Sequence, residues 1–143
     1  KTAYDHLRAQ GIAADHIILV GESLGTGPAV QTAAQNPVGA LILEAPYSAA
    51  VDIARAQYPW LPVGLLMLDQ YRSRDHIAKV RAPILILHGE GDQVIPYGSG
   101  KYLYTLAKQP KTFHPLGDTG HEALSDPATW ATEADFIDHL FPH

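Results

Sequence analysis

The chain contains no cysteine. That removes disulfides, a thiolate nucleophile and cysteine-based zinc sites, and says little about compartment. Positive charge is scarce as well: ten Lys and Arg against fifteen Asp and Glu leave a formal charge of −5. The basic residues form no stripe that could follow a phosphate backbone or an anionic bilayer, so nucleic-acid binding is not expected. Long apolar runs are missing too. No stretch reaches the roughly 18 residues needed to cross a bilayer, and Leu65-Leu66-Met67-Leu68 is stopped by Asp69. No membrane span is expected, and the composition fits a soluble domain. There is no internal repeat, low-complexity tract or charge block. The first residue is Lys1 rather than Met, and Thr2 to Gln10 already reads as a helix stopped by Gly11.

What is present is enough apolar residue for one core: 46% of 143 residues, which sets a single domain over 1–143 as the working organisation. Four apolar runs, Ile17 to Val20, Ala40 to Leu43, Ile84 to Leu87 and the weaker Thr112 to His114, alternate with helical patterns near 24–35, 49–57, 98–108 and 128–140. Such alternation predicts an α/β fold, a parallel sheet of about four strands with flanking helices. The first three runs are nearly continuous in Ile, Leu and Val, as strands buried on both faces are. Pro37, Pro83 and Pro110 mark breaks before strands. Residues 58–80 fit no single period and read either as a small lid or as a connecting excursion.

Gly21-Glu22-Ser23-Leu24-Gly25 follows directly on the first run and opens onto a helical pattern. A serine there sits where a strand turns sharply into a helix, and the flanking glycines leave room for the close strand and helix. Gly-x-Ser-x-Gly alone recurs by chance in about one chain of this length in twenty. Context must therefore supply what a serine nucleophile needs, a base within hydrogen-bond reach and a group that orients it. After the third run comes His88-Gly89-Glu90-Gly91-Asp92-Gln93-Val94-Ile95-Pro96, and after the fourth Leu116-Gly117-Asp118-Thr119-Gly120-His121-Glu122. Asp92 and His121 thus lie in Gly-containing loops just past strands, where open α/β sheets carry their ligand groups. Ser23, Asp92 and His121 would meet on one sheet edge although 69 and 29 residues separate them.

Other groups compete. Glu44 also ends a strand and could replace Asp92 as the acid. Glu90 is expected to face solvent, His88 to belong to the strand end and shape the acid loop, and Asp118 to form a turn. His6, His16, His76, His139 and His143 are most simply surface residues. His88-x-Glu90-x-Asp92 could hold a metal, but no second His follows four residues after His121, where Ser125 stands. Gly21-x-x-x-Gly25-x-Gly27 lacks the Lys of a phosphate-binding loop. No metal and no cofactor is expected.

With these motifs in this order, the chain resembles the carboxyl-terminal part of an α/β-hydrolase across nearly its whole length. Gly-Glu-Ser-Leu-Gly, Leu43-Glu44-Ala45-Pro46-Tyr47-Ser48 and His-Gly-x-x-Asp-x-x-Ile-Pro together are similar to the short-lid serine esterases and thioesterases of that superfamily. The resemblance implies Ser23 as nucleophile, Asp92 as the acid that fixes the imidazole tautomer, and His121 as general base and then acid. It implies the Leu24 N–H as one oxyanion donor and a small ester or acyl compound as substrate. In the family pattern the second donor follows an earlier strand that this chain does not contain. The first strand would then offer an unpaired edge, and the expectation is a segment of a longer hydrolase, a piece bound to its other half, or a dimer. A non-catalytic binding domain and an amidase remain as alternatives.

Overall fold

The computed structural model describes residues 2–142. Its apolar runs form four parallel strands, β1 (Ile18–Glu22), β2 (Ala40–Glu44), β3 (Ile84–His88) and β4 (Lys111–Pro115). They lie in the order β1-β2-β3-β4. Each parallel pair is joined by a crossover, with α2 (Thr26–Gln35) between the first two strands and α5 (Tyr97–Leu106) between the last two. α1 (Thr2–Ala9) precedes the sheet, α3 (Ala50–Gln57) and α4 (Val63–Leu66) follow β2, and α6 (Pro127–Leu140) closes the described chain.

Central strands β2 and β3 are buried along their whole length, as their unbroken Ile and Leu runs require. Successive residues alternate between two faces. Leu41, Leu43, Ile84 and Ile86 pack with Ala29, Val30 and Ala33 of α2 and Leu103 of α5, whereas Ile42, Leu85 and Leu87 pack against Phe136 and Ile137 of α6. Each such fully buried Leu or Ile side chain contributes about 1.5–3 kcal/mol. The last helix starts sharply because Asp126 Oδ1 accepts from the Ala128 N–H at 2.8 Å and Pro127 fills the first helical position.

Strands β1, β2 and β3 run one or two residues past their sequence-predicted ends, to Glu22, Glu44 and His88. The extension decides where these polar side chains go. Register pairs Glu22 with Glu44, on the face that holds Ile42, whereas His88 shares the opposite face with Ile84 and Ile86. The helix predicted at 24–35 is preceded by a 3-10 turn, Ser23–Gly25, and begins at Thr26. β1 and β4 are the sheet edges, and Val20 of β1 is 56% exposed.

Residues 58–80 divide in two. Ile77 and Val80 are buried in the core beneath α2, and Met67 packs against Tyr47, Ala50 and Ile95. Trp60, Leu65, Leu66 and Leu68 stay exposed. Among the described residues no helix is long and apolar enough to cross a membrane.

Candidate active site

The turn after β1 holds Ser23 at φ 50, a left-handed conformation that costs a non-glycine residue on the order of 1–3 kcal/mol. The turn is over-determined by its surroundings. Thr26 donates its hydroxyl to the Ser23 carbonyl at 2.7 Å, and the Tyr47 hydroxyl donates to the Leu24 carbonyl at 3.0 Å. A Cβ at Gly21 would come within 2.8 Å of Ala29 Cβ, the Gly25 carbonyl and Thr26 Cα. Strand and helix therefore approach as closely as the sequence suggests at that position. Gly25 differs from expectation, since a side chain there would meet open space and its φ is −67.

Beyond β3, the Asp92 carboxylate is almost wholly enclosed. Its Oδ1 accepts from the Val94 and Ile95 N–H groups at 2.8 and 2.9 Å, and its Oδ2 lies 2.8 Å from His121 Nδ1. Burial alone would raise the Asp92 pKa, but the His121 ring and these two N–H groups outweigh it and hold the carboxyl below its ordinary range. An ionised Asp92 makes Nδ1 the protonated nitrogen and leaves Nε2 with its lone pair free. The Asp92 side chain is 1% exposed and that of His121 27%, so the acid sits behind a base that reaches solvent.

The structure thus brings Asp92 and His121 into direct contact and places Ser23, half-buried, on the turn after β1 at the same end of the sheet. Among the described residues the Ser23 hydroxyl makes no hydrogen bond to the His121 ring. Leu24 is exposed.

The competing residues take other roles, and His88 adjoins this group with its Nε2 3.6 Å from Asp92 Oδ2. Glu90 and Asp118 are exposed, as are His6, His16 and His139; His76 is half-buried, and His143 lies outside the described residues. His88 is fully buried, and its Nε2 is 2.9 Å from the Ile95 carbonyl. Glu44 is buried on the α6 side of the sheet, where it meets Glu133 of α6. Burial, this contact, and the charges of Glu133 and Glu22 push its pKa up to about 8, so near neutral pH it holds a proton rather than the charge an orienting acid needs.

Two contributors escape a reading of the sequence. Tyr47 is fully buried, its hydroxyl pushed up to about 12 by burial, and it braces the serine turn from the loop after β2. It packs with Ile95, so one apolar cluster supports both the serine turn and the acid loop. The only signal for it was its place in Glu44-Ala45-Pro46-Tyr47, just past a strand. Glu133 carried no signal, because nothing local to α6 indicates that it faces the end of β2.

No protein-family model matches the chain. Its sequence is similar to alpha/beta hydrolase domain-containing protein 17C of Homo sapiens, 31% identical over 149 residues that cover 99% of this chain and 42% of the relative. It is similar also to an uncharacterized protein of Mycobacterium tuberculosis, 38% identical over 105 residues, covering 73% and 37%. The chain therefore spans less than half the length of these curated relatives. Among solved structures it resembles an acetyl xylan esterase from Paenibacillus sp. R4, with a TM-score of 0.79 at 18% identity over 96% of this chain and 50% of the other. A puromycin-hydrolyzing peptidase of Mycobacterium tuberculosis superposes with a TM-score of 0.77 at 19% identity, over 98% and 24%. At these identities the likeness is one of fold.

Proposed function

Because the chain belongs to the α/β-hydrolase superfamily, we propose that it carries the catalytic residues of a serine hydrolase that cleaves a carboxylic ester or thioester through an acyl-enzyme on Ser23. The observation that carries this reading is the 2.8 Å contact between His121 Nδ1 and the buried Asp92 carboxylate, at the end of the sheet where the strained Ser23 turn lies.

In this mechanism His121 Nε2 takes the proton of the Ser23 hydroxyl as Oγ attacks the acyl carbon. Asp92 keeps the ring in the Nδ1–H tautomer and stabilises the imidazolium that forms. The tetrahedral oxyanion accepts a hydrogen bond from the Leu24 N–H, which follows the nucleophile. As the carbon–oxygen or carbon–sulfur bond breaks, the imidazolium returns the proton to the leaving alcohol or thiol. Water then repeats the sequence on the acyl-enzyme, releasing the acid and restoring Ser23. That Ser23 makes no hydrogen bond to the His121 ring among the described residues is compatible with this chemistry, since catalytic hydrogen bonds in unliganded sites often form only with substrate. One donor at the oxyanion is worth about 2.7–4 kcal/mol.

Ester and thioester hydrolysis is preferred to amide hydrolysis on the resemblance of the three motifs. A substrate panel of short esters, acyl thioesters and amides, run with the wild type and Ser23→Ala, tests it. Turnover of esters or thioesters that vanishes in the variant supports the proposal; full activity in Ser23→Ala overturns it. The second reading is a hydrolase-like binding domain, favoured by the lack of a Ser23–His121 hydrogen bond among the described residues, and it expects no turnover in either protein.

A further inference from the structure

His88 ends β3 with its ring fully buried. Nε2 lies 2.9 Å from the Ile95 carbonyl and 3.6 Å from Asp92 Oδ2. A carbonyl only accepts, so Nε2 carries the ring proton. Nδ1 is buried without a partner, and it rests on the backbone of α5 at Gly100, where a Cβ would fall on that nitrogen. A glycine inside a helix costs about 1 kcal/mol relative to alanine; here it makes the seat for the ring. Tyr97 of α5 closes the other side edge-on at 5.6 Å between centroids. Ile95 is held from both ends, its N–H by Asp92 Oδ1 at 2.9 Å and its carbonyl by His88. With Oδ1 occupied by Val94 and Ile95, the carboxylate presents Oδ2 to His121.

We propose that His88 is a positioning residue for the triad, whose Nε2–H holds the Ile95 carbonyl and thereby fixes Asp92 with Oδ2 directed at His121. The inference rests on the serine-hydrolase reading for its kinetic consequence but not for its geometry. Neutrality is part of the role: a protonated His88 beside Asp92 would compete with His121 for the same carboxylate. Burial lowers the His88 pKa against the opposing pull of the Ile95 carbonyl and Asp92, and the His121 charge adds to the lowering. The ionisable groups facing the ring are Asp92 from its own loop, His121 from the loop after β4, and Tyr97 from α5.

Two variants and one spectrum test this. His88→Gln places an amide N–H where Nε2–H stood, and His88→Leu keeps bulk without a donor. Fluorophosphonate labelling of Ser23 across pH 5–9 should slow on the order of 100-fold in His88→Leu, the cost of a misplaced group, with a shifted pH midpoint, and stay within about threefold of wild type in His88→Gln. Equal rates and midpoints in wild type and His88→Leu overturn the proposal. So does a His88→Gln as slow as His88→Leu, which would make the role packing alone. Nitrogen-15 spectra of the wild-type histidines decide the matter even if Ser23 never labels, an outcome that defeats the serine-hydrolase reading instead. A neutral His88 with its proton on Nε2 supports the proposal; an Nδ1–H tautomer, or a ring still protonated at pH 8, overturns it.

Discussion

The Oδ2 of Asp92 stands 2.8 Å from Nδ1 of His121, joining two loops that are 29 residues apart in the chain. Asp92 can keep its charge there because its other oxygen is bound by two backbone N–H groups, and a carboxylate so held favours one imidazole tautomer. Replacing Asp92 with Asn preserves the shape of the loop, but its oxygen stays with the two N–H groups and its NH2 faces His121, a donor that favours the wrong tautomer. Labelling or hydrolysis at Ser23 should fall on the order of 10⁴-fold, while the thermal midpoint changes little. A loss below tenfold would mean that another group orients His121.

Tyr47 reaches the serine turn from below, its hydroxyl on the Leu24 carbonyl at 3.0 Å. The peptide that follows Leu24 is thereby fixed, and the left-handed backbone at Ser23 with it. Tyr47→Phe removes that donor and leaves a carbonyl without its partner, at a cost of about 1–3 kcal/mol. Urea unfolding should register this loss. The acylation rate should fall as well, because the Leu24 N–H loses its aim; an unchanged rate would separate Tyr47 from the site.

Glu44 gives the fold a pH dependence of definite sign. Its carboxyl is raised from 4.5 to about 8 by burial, the Glu133 contact and neighbouring charge. Between those values the folded chain keeps a proton that the unfolded chain releases. The stabilisation is complete below about 4.5 and is lost as pH rises through about 8, at roughly 1.4 kcal/mol per pH unit. Wild type should therefore unfold at distinctly lower urea at pH 8 than at pH 5.5. Glu44→Gln, which can donate to Glu133 at any pH, should flatten that difference. Equal pH slopes in the two proteins would show that Glu44 titrates normally.

Much of this was legible in the residues. The Ile and Leu runs of β2 and β3 announce strands buried on both faces, and strand-end positions foretell that Asp92 and His121 approach each other. Strand ends were harder to place, because hydrogen bonding continues through Glu22, Glu44 and His88 after the apolar run stops. The reading of Gly25 as a steric necessity did not hold, since of the two glycines flanking Ser23 it is Gly21 that is pressed by neighbours. Tyr47 and Glu133 act through contacts 23 and 89 residues away along the chain, beyond what periodicity or local motif can express. Residues 58–80 kept no single period because part of the segment serves the core and part faces solvent.

The central claim is that Ser23 is a nucleophile activated by His121. Intact-mass and peptide-mass measurement after treatment with a fluorophosphonate tests it most directly. One adduct is expected on the peptide that contains Ser23, and none on Ser23→Ala. An adduct that persists in Ser23→Ala, or a wild-type chain that stays unmodified, would contradict it.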